Sequence, residues 1–360
     1  MIVIHVGLKK AGSSSIQDFM AGNENALRDI GVDYARIGRK ERAEHHNIAR
    51  EIVDKLGNFD PSYGSISELS EYWHDAAGDT LVISSEGLEE AEIHQAARIR
   101  DTLGRARPGE DFRIVLILRD LLDQVQSSYA QRAKNGVVTH DFDVFFEERM
   151  RERRVHYFDT AKRWAAVFGW DSIQARLLDR DHLINGDLID DFLAVCNLEP
   201  QAVMPSLTKR LTSSNASPGW KVLESLRALF SGRHDLPAKH LLAKRLNPTK
   251  RRKLSRAAMR AGEARGWNQD RGRYFTHEQA QRCFEVYNSN IAALNVWLPT
   301  LIPAPRDLAA RSFIAREFLP GVERITAGEL RSFYDDVAEE LLEKRKKSGS
   351  DRSDRDDSSD

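Results

Sequence analysis

The segment Phe112-Arg-Ile-Val-Leu-Ile-Leu-Arg119 constrains the fold most. Its apolar residues Ile114–Leu118 are continuous rather than alternating, so it is not a strand with one wet face. Continuous runs of this kind belong to strands buried on both faces, as in parallel sheets. Three further strand-length runs accompany it: Met1–Val6 ending at Gly7, Thr80–Ser85 running into Glu86-Gly87, and Ser172–Leu178. Helical spacing fills the gaps. It predicts helices over Asp120–Ala133 (stopped by Gly136), Phe142–Arg153, Val155–Phe168 (closed by Gly169) and Asp187–Cys196. Strands separated by helical crossovers indicate an α/β fold, a mainly parallel sheet flanked by helices. Ligands of such sheets bind at the carboxyl ends of the strands. Gly7, Glu86 and Arg119 all fall there.

A 41% apolar and 30% charged composition is that of an ordinary soluble chain, and a net charge of −1 carries no global nucleic-acid signal. Cys196 and Cys283 are far apart and form no CxxC or Cys/His spacing, so neither zinc nor a disulfide framework is expected. No apolar run approaches the roughly 20 residues of a membrane span. The chain starts directly as a strand without a basic leader, and a cytoplasmic location is the expectation. Its 360 residues divide by character into a core over 1–220, a helical, partly basic extension over 221–343, and a Ser-rich, mixed-charge tail over 344–360 that is expected to be disordered. Ser213–Gly219 reads as the loop between core and extension, and Thr276–Trp297 as an amphipathic helix of the extension.

The loop after the first strand carries the chemistry. Gly7, Lys10, Gly12, Ser13, Ser14 and Ser15 stand between an apolar strand and the helical spacing that begins at Ile16. Strand, glycine turn and helix N-terminus together hold phosphate-like anions, because the first helical amides lack partners and the helix dipole is positive there. Ser13 is the expected N-cap. Gly7-x4-Gly12 has the glycine spacing of a Walker A loop, but Ser13 occupies the lysine position and Lys10 precedes the second glycine. A second anion site is expected at Arg119, whose planar donors bind phosphate in pairs, with Ser127 and Tyr129 on the following helix.

The two segments together resemble the PAPS-dependent sulfotransferases, in particular the bacterial carbohydrate-type members. Gly7-Leu-Lys-Lys10-Ala-Gly12-Ser13-Ser14 is similar to that family's loop for the 5′-phosphosulfate, with Ala11 in place of the usual Thr. Arg119-Asp120-Leu121 to Ser127-Ser128-Tyr129 is similar to its 3′-phosphate segment, with Leu121 in place of Pro. Tyr157–Gly169, Asp187–Leu198 and Asn215-Ala-Ser217 add to the likeness, which covers roughly residues 1–220. The resemblance implies a P-loop-like three-layer fold, PAPS as sulfuryl donor and adenosine 3′,5′-bisphosphate as product. It also implies Lys10 as the sulfuryl-contacting lysine and a carbohydrate or glycolipid hydroxyl as acceptor.

An acceptor hydroxyl needs a general base. Glu86 is the first candidate and His46 the rival, since imidazole accepts a proton near neutral pH. Lys9 is expected to be solvated, and His5, inside the first strand, to be a core histidine. No metal site is expected. Segment 233–260 holds ten Lys/Arg against one acid, a local charge of +9. It suits a solvated helical face or peripheral contact with an anionic glycan or lipid head group. Nucleic acid is disfavoured, because no aromatic stands between Leu236 and Gly266 for stacking. Two alternatives to a sulfotransferase remain open: a P-loop kinase or nucleotidase, and a non-catalytic module binding anionic glycans or membranes.

Overall fold

The computed structural model describes residues 1–40, 43–207, 218–232, 247–303 and 314–356, with Lys55 and 343–356 described by backbone alone. The expected loop Ser213–Ser217, including Asn215, and the basic stretch 233–246 lie outside the described residues. Two compact units form. The first combines Met1–Gln124, Glu152–Ser214 and Cys283–Asp307, and the second combines Val125–Arg151, Asn215–Arg282 and Leu308–Asp360. Each unit is assembled from three segments of the chain, whereas the expected blocks 1–220, 221–343 and 344–360 run in chain order.

In chain order the elements begin with β1 (Ile2–Val6), α1 (Ser13–Gly22), α2 (Glu24–Asp29), β2 (Val32–Asp33), α3 (His46–Ile52), α4 (Ile66–Asp75) and β3 (Thr80–Ser85). Next come α5 (Ile93–Ala106), β4 (Phe112–Leu118), α6 (Leu121–Lys134), α7 (Phe142–Met150), α8 (Tyr157–Phe168), β5 (Ile173–Leu177), α9 (Leu188–Val195) and α10 (Pro200–Val203). The chain continues through α11 (Trp220–Phe230), α12 (Pro248–Ala264), α13 (His277–Trp297) and α14 (Ala327–Asp356).

The first unit is an α/β layer structure around a five-stranded sheet of order β2-β3-β1-β4-β5, every neighbouring pair parallel. β1 and β3 are buried along their whole length, as is the apolar run of β4. That is the reason for the unbroken apolar runs: helices cover both faces. β1 pairs with β3 through Ile4↔Ile83 and with β4 through Ile4↔Ile114. The chain builds β3 on one side of β1 and then crosses to β4 on the other. The carboxyl end of β1 is thus the point where strand order reverses, the usual place for a ligand crevice.

In the second unit, Val222, Leu226 and Leu229 of α11 meet Leu254, Ala257, Ala258 and Ala261 of α12 and Phe333, Tyr334 and Val337 of α14 in one core. Asn247 caps α12 by accepting from Lys250 N–H, and Pro248 sits in its first turn, where no amide donor is needed.

Three expectations change. β2 is a two-residue strand, too short to leave a pattern in the sequence. The helix expected over Phe142–Arg153 ends at Met150, and a separate 3-10 turn spans Arg153–Val155. The backbone over 344–356 is helical rather than irregular. There α14 extends a helix already anchored by Phe333, Tyr334 and Val337, and propagation costs far less than nucleation.

Candidate functional site

The loop leaving β1 is held tightly. Gly7 N–H continues the sheet by donating to Ser85 O over 3.1 Å. A Cβ at Gly7 would stand 2.9 Å from Ser13 Oγ and 3.1 Å from Glu86 N, so only glycine lets the two strand ends approach. Lys10 has φ +66°, a left-handed conformation that is strained for a side chain with a Cβ. Gly12, also left-handed at φ +82°, is the N-cap of α1 and supplies no side-chain acceptor. Ser13 is therefore not the cap. It is buried in the first helical turn, and its hydroxyl donates to Leu8 O over 3.3 Å. Capping by glycine leaves the first amides of α1 as donors for an anion. Ser14 is exposed and Ser15 half-buried at the same helix end.

Arg119 reaches this loop from the end of β4. Its Nη1 donates to the Lys10 carbonyl over 2.8 Å, and its own carbonyl accepts from Tyr157 Oη–H at 2.8 Å. A cation from one strand end thereby fixes the turn that presents Lys10 at the next. Asp120 starts α6 by accepting from Leu122 N–H at 2.9 Å.

The two candidate bases meet at the end of β3. Glu86 is half-buried in the first position of a 3-10 turn over Glu86–Glu90, which Ser85 caps through Gly87 N–H. His46, the first residue of α3, places Nδ1 3.2 Å from Ser85 Oγ. Burial pushes the Glu86 carboxyl above its ordinary value. Lys9, Lys10 and Arg154 pull the other way, and Glu44 adds to the rise. The structure thus brings Lys10, Glu86, His46 and Arg119 to three adjacent strand ends.

Beneath them lies a layer of buried histidines. His5 is fully buried with Nδ1 2.8 Å from Ser84 Oγ, which also accepts from Gln17 Nε2 at 3.1 Å. His45 accepts from Ser84 N–H at Nδ1 (3.2 Å), which leaves Nε2–H to donate to Ala35 O at 3.0 Å. Burial lowers the pKa of His5 to about 4 and that of His45 to about 3. Both are neutral core groups.

Two cations beside Glu86 differ from expectation or were missed. Lys9 is half-buried, not solvated. Its pKa is lowered by burial and by Arg154, against the raising influence of Glu89, Glu86 and Glu90. Arg154, which carries no motif signal, pairs with Glu90 at 2.5 Å and stands 3.8 Å from Glu89 and 3.7 Å from Glu152. Arg163 fastens the same turn by donating from Nε to Ala91 O (3.0 Å) and from Nη2 to Glu89 O (2.8 Å).

Ser127 and Tyr129 belong to the second unit. Ser127 is half-buried on α6. Tyr129 is spent on packing: its ring touches Phe142, Phe145 and Tyr274, and its hydroxyl donates to Glu224 Oε1 at 3.1 Å. Among the described residues no group of His, Cys, Asp or Glu could hold a metal ion, and no helix is long and apolar enough to cross a membrane. No protein-family model, curated protein or solved structure matches the chain.

Proposed function

We propose that the chain is a sulfotransferase that moves a sulfuryl group from PAPS to a hydroxyl of a carbohydrate or glycolipid, on a P-loop-like three-layer fold. The observation that carries this reading is the 2.8 Å hydrogen bond from Arg119 to the Lys10 carbonyl, which joins the two motif segments at neighbouring strand ends. The donor set suits an anion. Residues 7–15 contain Lys9, Lys10, three serines and an N-terminal helical turn capped by glycine, and no carboxylate. Lys10, Gly12, Ser13, Ser14, Ser15 and Arg119 would hold the donor's anionic groups. PAPS, when bound, supplies a sulfuryl group on a phosphate leaving group.

The residues then divide the work. Lys10 balances negative charge at the transferring group, where a loose transition state gains most from positioning and electrostatics. Glu86 removes the acceptor's proton. Its raised pKa makes it a stronger base than an exposed glutamate. His46, held on Ser85, is the alternative base at the same strand end.

The test is thermal denaturation with adenosine 3′,5′-bisphosphate, ATP and ADP compared at equal concentration. At a hundred times its dissociation constant a ligand stabilises by about 2.7 kcal/mol, so the expected result is a clear rise in Tm with the bisphosphate alone. A Tm rise only with ATP and Mg²⁺ would instead favour a kinase.

A further inference from the structure

Taking Glu86 as the base of the proposed reaction, we infer that Arg154 is its positioning residue. Arg154 holds the turn that presents Glu86 and takes up the charge of the carboxylates behind it. The turn requires a countercharge. It carries Glu86, Glu89 and Glu90 within five residues, and in a 3-10 turn residues three apart lie one above the other. Two carboxylates so placed oppose each other's ionisation. Glu89 is only 2% exposed, and a buried carboxylate keeps its charge only beside a cation.

Arg154 brings that cation from a distant segment, the 3-10 turn Arg153–Val155. Its Nε donates to Glu90 Oε1 at 2.8 Å, and Nη2 lies 2.5 Å from the same oxygen. Glu89 Oε2 is 3.8 Å from Nε. One planar guanidinium thus faces both acids that follow Glu86, a geometry that a compact ammonium does not reproduce. The adjoining chain is fastened as well. Arg153 Nη1 donates to Glu92 Oε1 at 2.6 Å, and buried Arg163 gives Nε to Ala91 O and Nη2 to Glu89 O. The turn cannot shift without breaking a contact to a charged group.

The same contacts separate the roles of the three acids. Glu89 and Glu90 face Arg154, whereas Glu86 stands at the first position of the turn, at the end of β3. Lys9 and Lys10, from the loop after β1, act on Glu86 together with Arg154, and Glu44, just before α3, acts against them. His46 is the titratable group of α3 at the same strand end. With two acids of the turn held by Arg154, a proton arriving from an acceptor hydroxyl goes to the third. Small displacements of such a group are costly, because proton transfer requires hydrogen-bond reach.

The experiment compares the full chain with Arg154→Gln, Arg154→Lys and, as a control in the same 3-10 turn, Arg153→Gln. The Glu86 carboxyl is titrated by carbon-13 NMR of glutamate-labelled protein, with Glu86→Gln identifying its signal. Transfer from PAPS to p-nitrophenyl glycosides is measured over the same pH range. In Arg154→Gln the Glu86 midpoint should move to higher pH, because a cation that favours the carboxylate is gone. Its kcat should fall roughly tenfold to a hundredfold, with KM for PAPS unchanged. Arg154→Lys should return the midpoint toward that of the parent and recover part of kcat, and Arg153→Gln should alter neither. A midpoint and kcat unmoved in Arg154→Gln, or moved equally in Arg153→Gln, would overturn the assignment even where Tm falls. Should Arg154→Gln fail to fold, parent kcat in Arg154→Lys would overturn it. A parent that transfers nothing to these acceptors speaks against the proposed reaction, while the carboxyl titration still decides for or against Arg154.

Discussion

Arg119 Nη1 and the main-chain oxygen of Lys10 are 2.8 Å apart, so the end of β4 fastens the turn that follows β1. A charged donor on a carbonyl contributes about 1.5–3 kcal/mol. Under the proposed function, Arg119→Ala should weaken binding of adenosine 3′,5′-bisphosphate by tenfold or more by titration calorimetry. Arg119→Lys should recover only part of that, because a single ammonium lacks the planar fork. Unchanged affinity in Arg119→Ala would remove Arg119 from the site.

Lys10 holds its left-handed backbone against a cost of about 1–2 kcal/mol that glycine does not bear. Lys10→Gly is expected to have a Tm no lower than the parent while losing sulfuryl transfer. Lys10→Ala should lose transfer without the relief. A fully active Lys10→Gly would show that the side chain is not used.

The pH–rate profile reports the base. Glu86 must be ionised to accept a proton, so the rate should fall as pH drops through a carboxyl pKa raised above its ordinary 4.5. The Lys9 charge pulls that pKa down, so Lys9→Met should move the acidic limb to higher pH. Glu86→Gln should abolish the limb along with most activity. Near-full activity in Glu86→Gln would transfer the role to His46.

His5 and His45 tie stability to pH in a definite direction. Unfolded, each takes up a proton near 6.5; folded, His5 does so at about 4 and His45 at about 3. Between those values the unfolded chain binds more protons, so stability is complete above about pH 6.5 and is lost as pH falls below it. The His5 share alone is on the order of 2–3 kcal/mol by pH 4. Urea midpoints at pH 7.5 and 5 should differ accordingly, and the difference should shrink in His5→Gln.

Tyr129 should matter to folding rather than to ligand. Glu224, fully buried, accepts from Tyr129 at 3.1 Å, Tyr274 at 3.2 Å and Arg227 Nε at 2.6 Å. Tyr129→Phe leaves a buried carboxylate one donor short, at a cost of about 1–3 kcal/mol. Affinity for the bisphosphate should stay the same.

What could be read beforehand followed from how each feature is written in the chain. Ile114–Leu118 announces a strand covered on both faces because burial leaves no room for alternation. Gly7, Lys10, Gly12 and Arg119 stand out because turns and strand ends tolerate few residue types. Val32–Asp33 is too short for any period to show. Lys9 and Lys10 are adjacent and chemically alike, and only the packing of Glu86, Glu89 and Arg154 around Lys9 separates them. Arg154 lies in an arginine-rich run, Arg149–Arg154, where nothing local marks the one that meets Glu90. Ser13 read as a cap because serine usually is one, but left-handed Gly12 already ends the loop.

The clamp on Lys10 also bears on how the protein comes into being. Its two partners are 109 residues apart in the chain. An emerging polypeptide that has completed β1 and α1 therefore has the residues of the anion loop without the means to keep them in place. Under the proposed function, a nucleotide would then have no shaped recess to find until β4 has docked beside β1, and it could not assist the earliest folding steps. For the same reason the loop excised as a peptide, Met1–Gly22, should bind no better than any short basic segment.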